Sequence, residues 1–154
     1  MKMVRKTTQK NKSRNRGPVR STKVVYDGIT FASGPARHMW QALTQSKIKA
    51  TYESETFVLQ DGSMCDLLCY ERTGNGKGDM INRGRKKILN IKYTPDFVSD
   101  TFIIECKGRA NESFPLRWKM FKKHVKEHIP HVTLYKPQNQ KECDRVIELI
   151  NKRK

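Results

Sequence analysis

The chain has 154 residues, 36% of them apolar and 31% charged, and its 32 Lys and Arg against 15 Asp and Glu leave a formal net charge of +17. That length suits one domain with a real core rather than two. No run approaches the roughly 18 apolar residues of a membrane-spanning helix, and the first residues lack the apolar core of a signal peptide, so no membrane partner is expected and the expected location is the cytoplasm. So large a cationic excess is more than solubility requires, and a polyanion, nucleic acid first, is the expected partner.

The first 23 residues carry nine Lys or Arg and no acid. A segment so poor in apolar side chains cannot offset the entropy of ordering, which predicts a flexible basic arm over 1–23 ahead of a folded domain over 24–154. Its candidate DNA contacts are Arg5, Lys6, Lys10, Lys12, Arg14 and Arg16, cations of the salt-sensitive, sequence-independent kind that counterion release drives. A merely solubilising tail is the plainer alternative. It leaves the +8 on the rest of the chain unexplained.

Val24 to Phe31 reads as a short strand or turn leading into a helix, which Ser33 caps and Pro35 opens. Ala36, Met39, Trp40 and Leu43 then recur at helical spacing as one apolar stripe. Residues 48–59 alternate loosely and predict a single strand, ended by Asp61-Gly62, with Met64 to Tyr70 returning beside it. In residues 73–90, four glycines are interleaved with Lys77, Arg83, Arg85, Lys86 and Lys87. The run lacks the Gly-Lys-Ser/Thr ending of a phosphate-binding loop and predicts a flexible basic loop able to wrap a nucleic-acid backbone. An ordinary surface insertion is the alternative.

Two apolar runs broken by Ser99-Asp100 follow and predict a hairpin. On its second strand Phe102, Ile104 and Cys106 should face one way and Ile103, Glu105 and Lys107 the other. Tight pairing about Ser99-Asp100 would bring Asp96 across from the Glu105–Lys107 end, so that two carboxylates and a lysine converge. Such a cluster suits a hard divalent cation, with the lysine orienting an attacking water or neutralising developing charge. An ordinary solvated pair on a surface strand is the bland reading of Glu105 and Lys107. Beyond Gly108, with Arg109 a further candidate DNA contact, residues 115–129 predict a helix whose polar face carries the candidate DNA contacts Lys119, Lys122 and Lys123. Pro130 ends it, residues 131–135 form a further strand, and a last amphipathic helix starts near Gln140. His124, His128 and His131 are read as polar-face residues. Cys65, Cys69, Cys106 and Cys143 lack a second zinc-ligand pair and are read as free thiols.

Pro95-Asp96 with Glu105-Cys106-Lys107 resembles the PD-(D/E)xK nuclease signature. The order helix, strand, strand, hairpin, helix, strand resembles the restriction-endonuclease-like core, an α/β fold with a mixed sheet flanked by helices. More narrowly, the chain resembles the phage endonuclease I family of Holliday-junction resolvases. The stretches that carry this are Phe31-Ala32-Ser33-Gly34, Ser46 to Lys49 running into Tyr52 to Glu55, Tyr93-Thr94-Pro95-Asp96-Phe97 with Glu105-Cys106-Lys107-Gly108, and Lys122 to Pro130; Tyr-Thr-Pro-Asp-Phe is the specific part.

The resemblance implies a Mg²⁺-dependent endodeoxyribonuclease, with Mn²⁺ able to substitute, acting on branched DNA as an intertwined homodimer in a host cell's cytoplasm. It implies Asp96, Glu105 and the main-chain carbonyl of Cys106 as metal ligands and Lys107 beside the attacking water. The family also places a catalytic Glu three residues after the Ser of its Ser-Gly pair, and here that position is Ala36. Three explanations stand open: the chain was altered to trap a substrate, Glu53 or Glu55 substitutes, or the protein binds without cutting. Alteration is the expectation, because Ala is the usual inactivating replacement and the surrounding pattern is kept. A nuclease with another DNA target and a non-catalytic basic binder are the rival functions.

Overall fold

A computed structural model describes residues 22–72 and 74–153. The candidate contacts Arg5, Lys6, Lys10, Lys12, Arg14 and Arg16 lie outside the described residues. The architecture is mixed α/β. Its centre is a four-stranded sheet made of β3 (Thr51–Tyr52), β10 (Phe97–Val98), β11 (Phe102–Ile104) and β12 (Thr133–Tyr135), in the order β12-β11-β10-β3. β10 is antiparallel to both β11 and β3, whereas β11 and β12 are parallel. A parallel pair needs a crossover, and helix α2 (Phe114–His128) supplies it.

Side-chain alternation on the hairpin decides which helix meets which face. Phe97, Phe102, Ile104 and Cys106 join one apolar cluster with Ala36, Met39 and Leu43 of α1 (Gly34–Gln45) and Cys143, Val146, Ile147 and Ile150 of α3 (Gln140–Asn151). Val98 and Ile103 join a second cluster with Tyr93 and with Phe114, Phe121 and Val125 of α2. Both faces of the hairpin are thus covered, and all of β11 is buried. At about 25 cal/mol per Å² of apolar surface, this double burial is the main stabilising term.

The helices begin where their caps dictate. Ser33 Oγ accepts from the Ala36 amide, with Pro35 in the first turn of α1. Asn139 Oδ1 accepts from the Glu142 amide, and the Glu142 carboxylate reaches back to the Gln138 amide, so α3 starts with reciprocal capping. α2 has no side-chain cap from Ser113. Asn111 Oδ1 takes the Phe114 amide instead, at 2.9 Å.

Three expectations are corrected. Val24 to Phe31 is a hairpin of β1 (Val24–Tyr26) and β2 (Ile29–Phe31), turned by Asp27 and Gly28, both at positive φ, as a type I′ turn requires. Residues 48–59 hold two strands, because Glu53 adopts a φ of +44° and breaks the run; β3 stays in the central sheet and β4 (Phe57–Gln60) leaves it to pair with β9 (Ile91–Tyr93). Asp61-Gly62 therefore does not turn the chain back. A Cβ on Gly62 would stand 2.5 Å from the Ile88 carbonyl oxygen, so glycine serves a close approach there.

The third correction concerns the segment read as a basic loop. β5 (Ser63–Met64) pairs with β8 (Lys87–Ile88), and β6 (Tyr70–Glu71) with β7 (Ile81–Asn82), all antiparallel. With β4 and β9 at its base, this makes one irregular ribbon over residues 57–72 and 74–93, and residues 81–90 of the expected loop are its returning strand. Separate turn signals hid the nested pairing. Among the described residues no helix is long and apolar enough to cross a membrane.

Candidate active site

The hairpin register brings the two acids together. Phe97 lies across from Ile104, so one step outward Asp96 meets Glu105. The Cys106 amide donates to Asp96 Oδ2 at 2.6 Å, and the Glu53 amide donates to the Asp96 carbonyl at 2.8 Å. On the other edge the Glu105 amide donates to the Tyr135 carbonyl and the Lys107 amide to the Pro137 carbonyl. The two segments that carry the acids and the lysine are held by backbone bonds on both sides.

Glu105 is the one charged side chain among the described residues that is buried, at 7% exposed. Burial pushes the Asp96 carboxyl up to about 7, and the Glu105 charge adds to it, with Glu53 raising it further. Burial likewise raises Glu105, with Tyr93 and Lys107 opposing the rise. Two acids so placed resist carrying two negative charges at neutral pH unless a cation joins them. The Tyr93 hydroxyl is buried beside them; burial, then the Glu105 charge, drives its proton affinity up.

Glu105 opens into a cleft of about 410 Å³ lined also by Lys92, Lys107, Asn111, Ser113 and Arg117. Lys107 Nζ sits 5.0 Å from the centroid of the Phe114 ring, which confirms that Lys107 emerges on the α2 side with Glu105. Arg117 donates to the Lys92 carbonyl, and the hydroxyls of Thr56 and Thr94 are bonded at 2.7 Å at the rim. Three cations and several neutral donors around one carboxylate suit a bound phosphate.

Ala36 is fully buried, in the cluster that contains Phe97 and Cys106, the neighbours in sequence of the two acids. No carboxylate stands there. Of the two suggested substitutes, Glu53 is the one beside the site: its amide holds Asp96 and its charge raises both Asp96 and Glu105. Glu55 lines a different cleft, with Trp40, Ser99, Asp100 and His131. The Cys106 side chain points into the core away from Glu105, so only its main chain borders the acids.

Among the described residues no three His, Cys, Asp or Glu side chains converge as a ready-made metal cage. The donor set is two carboxylates, Glu105 buried and Asp96 half-buried, which fits a hard cation that keeps several of its waters and fits a soft one poorly. The remaining candidate cations lie elsewhere. Arg83, Arg85, Lys86 and Lys87 sit on the ribbon, Arg109 is exposed just past Lys107, and Lys119, Lys122 and Lys123 are on the outer face of α2, where Lys123 pairs with Glu127 at 3.8 Å. Sequence reasoning missed Tyr93, Lys92 and Arg117. Tyr93 begins the Tyr-Thr-Pro-Asp-Phe stretch and could have been found; Lys92 and Arg117 give no signal before the cleft exists. Comparison with family models, with curated proteins and with solved structures returns no match for this chain, so the geometry of the site is what bears on its function.

Proposed function

We propose that the chain is a metal-dependent, structure-selective endodeoxyribonuclease of branched DNA, with Holliday junctions as its leading substrate and a restriction-endonuclease-like core as its scaffold. One observation carries this: Asp96 and Glu105 meet across a buried hairpin while Lys107 emerges beside Glu105 into a cation-lined cleft. Asp96 and Glu105, with the Cys106 carbonyl, would hold Mg²⁺, or Mn²⁺ in its place. The metal when bound supplies Lewis acidity and an activated water.

The chain's own groups do the rest. Burial raises Asp96 and Glu105, and a cation that displaces their protons offsets the cost of holding both charges in the site. Lys92 and Arg117 hold the phosphate in the cleft, and Lys107, on the Glu105 side, orients the water or neutralises charge on the phosphoryl oxygens. Cations on the ribbon and on α2 hold DNA backbones, so shape rather than base sequence is read. The active form is a homodimer, whose two sites nick opposed strands, in the cytoplasm.

A second reading is favoured by Ala36: with an apolar residue where the resemblance places a carboxylate, the protein binds branched DNA without cutting, or cuts feebly through Glu53. Cleavage of a synthetic four-way junction in Mg²⁺ and in EDTA, by the chain and by Asp96→Asn, separates the two. Metal-dependent nicking lost in Asp96→Asn supports the nuclease. Equal, absent cleavage by both, with junction binding kept, supports the binder, and nicking of linear duplex at the same rate overturns the junction preference.

A further inference from the structure

Among the described residues, nine of the twelve large apolar side chains that stand exposed lie between Val58 and Leu89, on the ribbon. The most exposed on the outgoing strand are adjacent, Leu67 at 65% and Leu68 at 67%. They sit on a bulge between β5 and β6 that the returning strand clamps. The Cys65 amide donates to the Lys86 carbonyl, and the Arg83 amide donates to the Cys69 carbonyl. Asn82 Oδ1 accepts from both the Cys69 and the Gly84 amides. A Cβ on Gly84 would stand 1.7 Å from the Leu67 carbonyl oxygen, so only glycine lets the bulge seat. Two leucines are thus held outward by a bonded backbone.

Across from them run Arg83, Gly84 and Arg85. Residues 80–92 carry five cations and no acid, and among the described residues no carboxylate is paired with Arg83, Arg85, Lys86 or Lys87. An apolar pair beside unpaired cations has two plausible occupants, and charge chooses between them. A second copy would bring two such cationic strands together. Nucleic acid supplies the opposing charge and, at a branch, base faces that are already easy to unstack.

We infer that the ribbon is a wedge for the branch point: Leu67 and Leu68 insert against unstacked bases while Arg83 and Arg85 hold the flanking phosphates. The inference rests on the branched-DNA reading above. A two-stranded ribbon fits a DNA groove, and apolar wedges beside cations are a recurrent means of opening a base step. A ribbon this exposed is marginally stable by itself, so a DNA partner also supplies the burial it lacks.

The test uses the full chain in EDTA with a four-way junction carrying 2-aminopurine beside the branch. Binding should raise the fluorescence, and Leu67→Ser with Leu68→Ser should remove the rise and weaken junction binding about tenfold while leaving linear-duplex affinity unchanged. Arg83→Ala with Arg85→Ala should weaken both DNAs and reduce the salt slope by about 2. Leu68→Gln alone carries the same test if the double variant melts early. A fluorescence rise that survives the leucine changes overturns the wedge. So does a leucine variant that turns a dimer into a monomer in sedimentation while affinity per protomer is kept, since the ribbon is then a protein interface. Asp96-dependent cleavage in Mg²⁺ is measured separately, so a failed wedge and a failed nuclease reading are told apart.

Discussion

The β10–β11 hairpin and the β4–β9 ribbon are both antiparallel and joined by short strands, yet they use their side chains in opposite ways. The hairpin is buried on both faces, against α1 and α3 on one side and α2 on the other. Beyond its base, where Phe57 and Leu59 pack against the second cluster, the ribbon leaves Met64, Leu67, Leu68, Tyr70, Ile88 and Leu89 exposed. Burial on both faces gives the hairpin a fixed register, and a fixed register is what aligns two acids that sequence keeps nine residues apart. The ribbon's pairing buries little and is free to present groups to a partner. The acids stand where packing is tight, and the exposed apolar and cationic side chains where it is not.

The sharpest way to break this contrast is to remove the acids. Asp96→Asn or Glu105→Gln should lower Mg²⁺-dependent junction cleavage by roughly a thousandfold or more, several kcal/mol in the barrier, with junction binding kept in a mobility-shift assay. Loss of binding together with cleavage would mean that the acids hold the fold rather than the chemistry.

Core truncation comes next. Phe97→Ala, between α1 and β3, should cost about 3–5 kcal/mol in a denaturant melt, whereas Leu67→Ala on the ribbon should move stability by less than about 0.5 kcal/mol. Equal losses at the two positions would erase the distinction between the regions.

The raised acids give a pH test with a definite sign. Asp96 holds its proton to about 7 in the folded chain but releases it near 3.8 when unfolded, so between those values the native state binds more protons and stability falls as pH rises. Metal-free protein should lose on the order of 2–4 kcal/mol from this group between pH 4 and 7.5. Asp96→Asn should flatten the profile over that window, and Mg²⁺ should recover stability at pH 7.5. A profile unchanged by the substitution would place the titration elsewhere.

Ala36→Glu sharpens the comparison from the other side. A carboxylate buried at this fully enclosed position should lower the melting temperature by several degrees, with part of the loss regained in Mg²⁺ and with junction cleavage raised. No gain in cleavage would overturn the reading of Ala36 as the position of a missing catalytic carboxylate.

Much of the site was legible because it is local. The alternation in Phe102 to Lys107 and the short break at Ser99-Asp100 place Asp96, Glu105 and Lys107 together with no long-range information, since strand period and hairpin register suffice. The capped helix at Ser33, the α2 stripe and the α3 stripe were legible for the same reason. The ribbon was not. Its strands pair over separations that run from 10 residues at Glu71–Ile81 to 36 at Phe57–Tyr93, with poor alternation, and Asp61-Gly62, which reads as a turn, serves instead as a point of close backbone contact with Ile88.

By itself, the sequence determined the cationic excess, the three helical stripes and the acid–acid–lysine hairpin, because composition, helical spacing and strand alternation act over a few residues. Only the tertiary structure decided that Glu53 rather than Glu55 stands beside Asp96, that Ala36 lies in the apolar core next to the site, and that Lys92 and Arg117 close a cleft over Glu105. Those placements depend on which face of the sheet each element covers, and that is settled by packing between segments far apart in the chain.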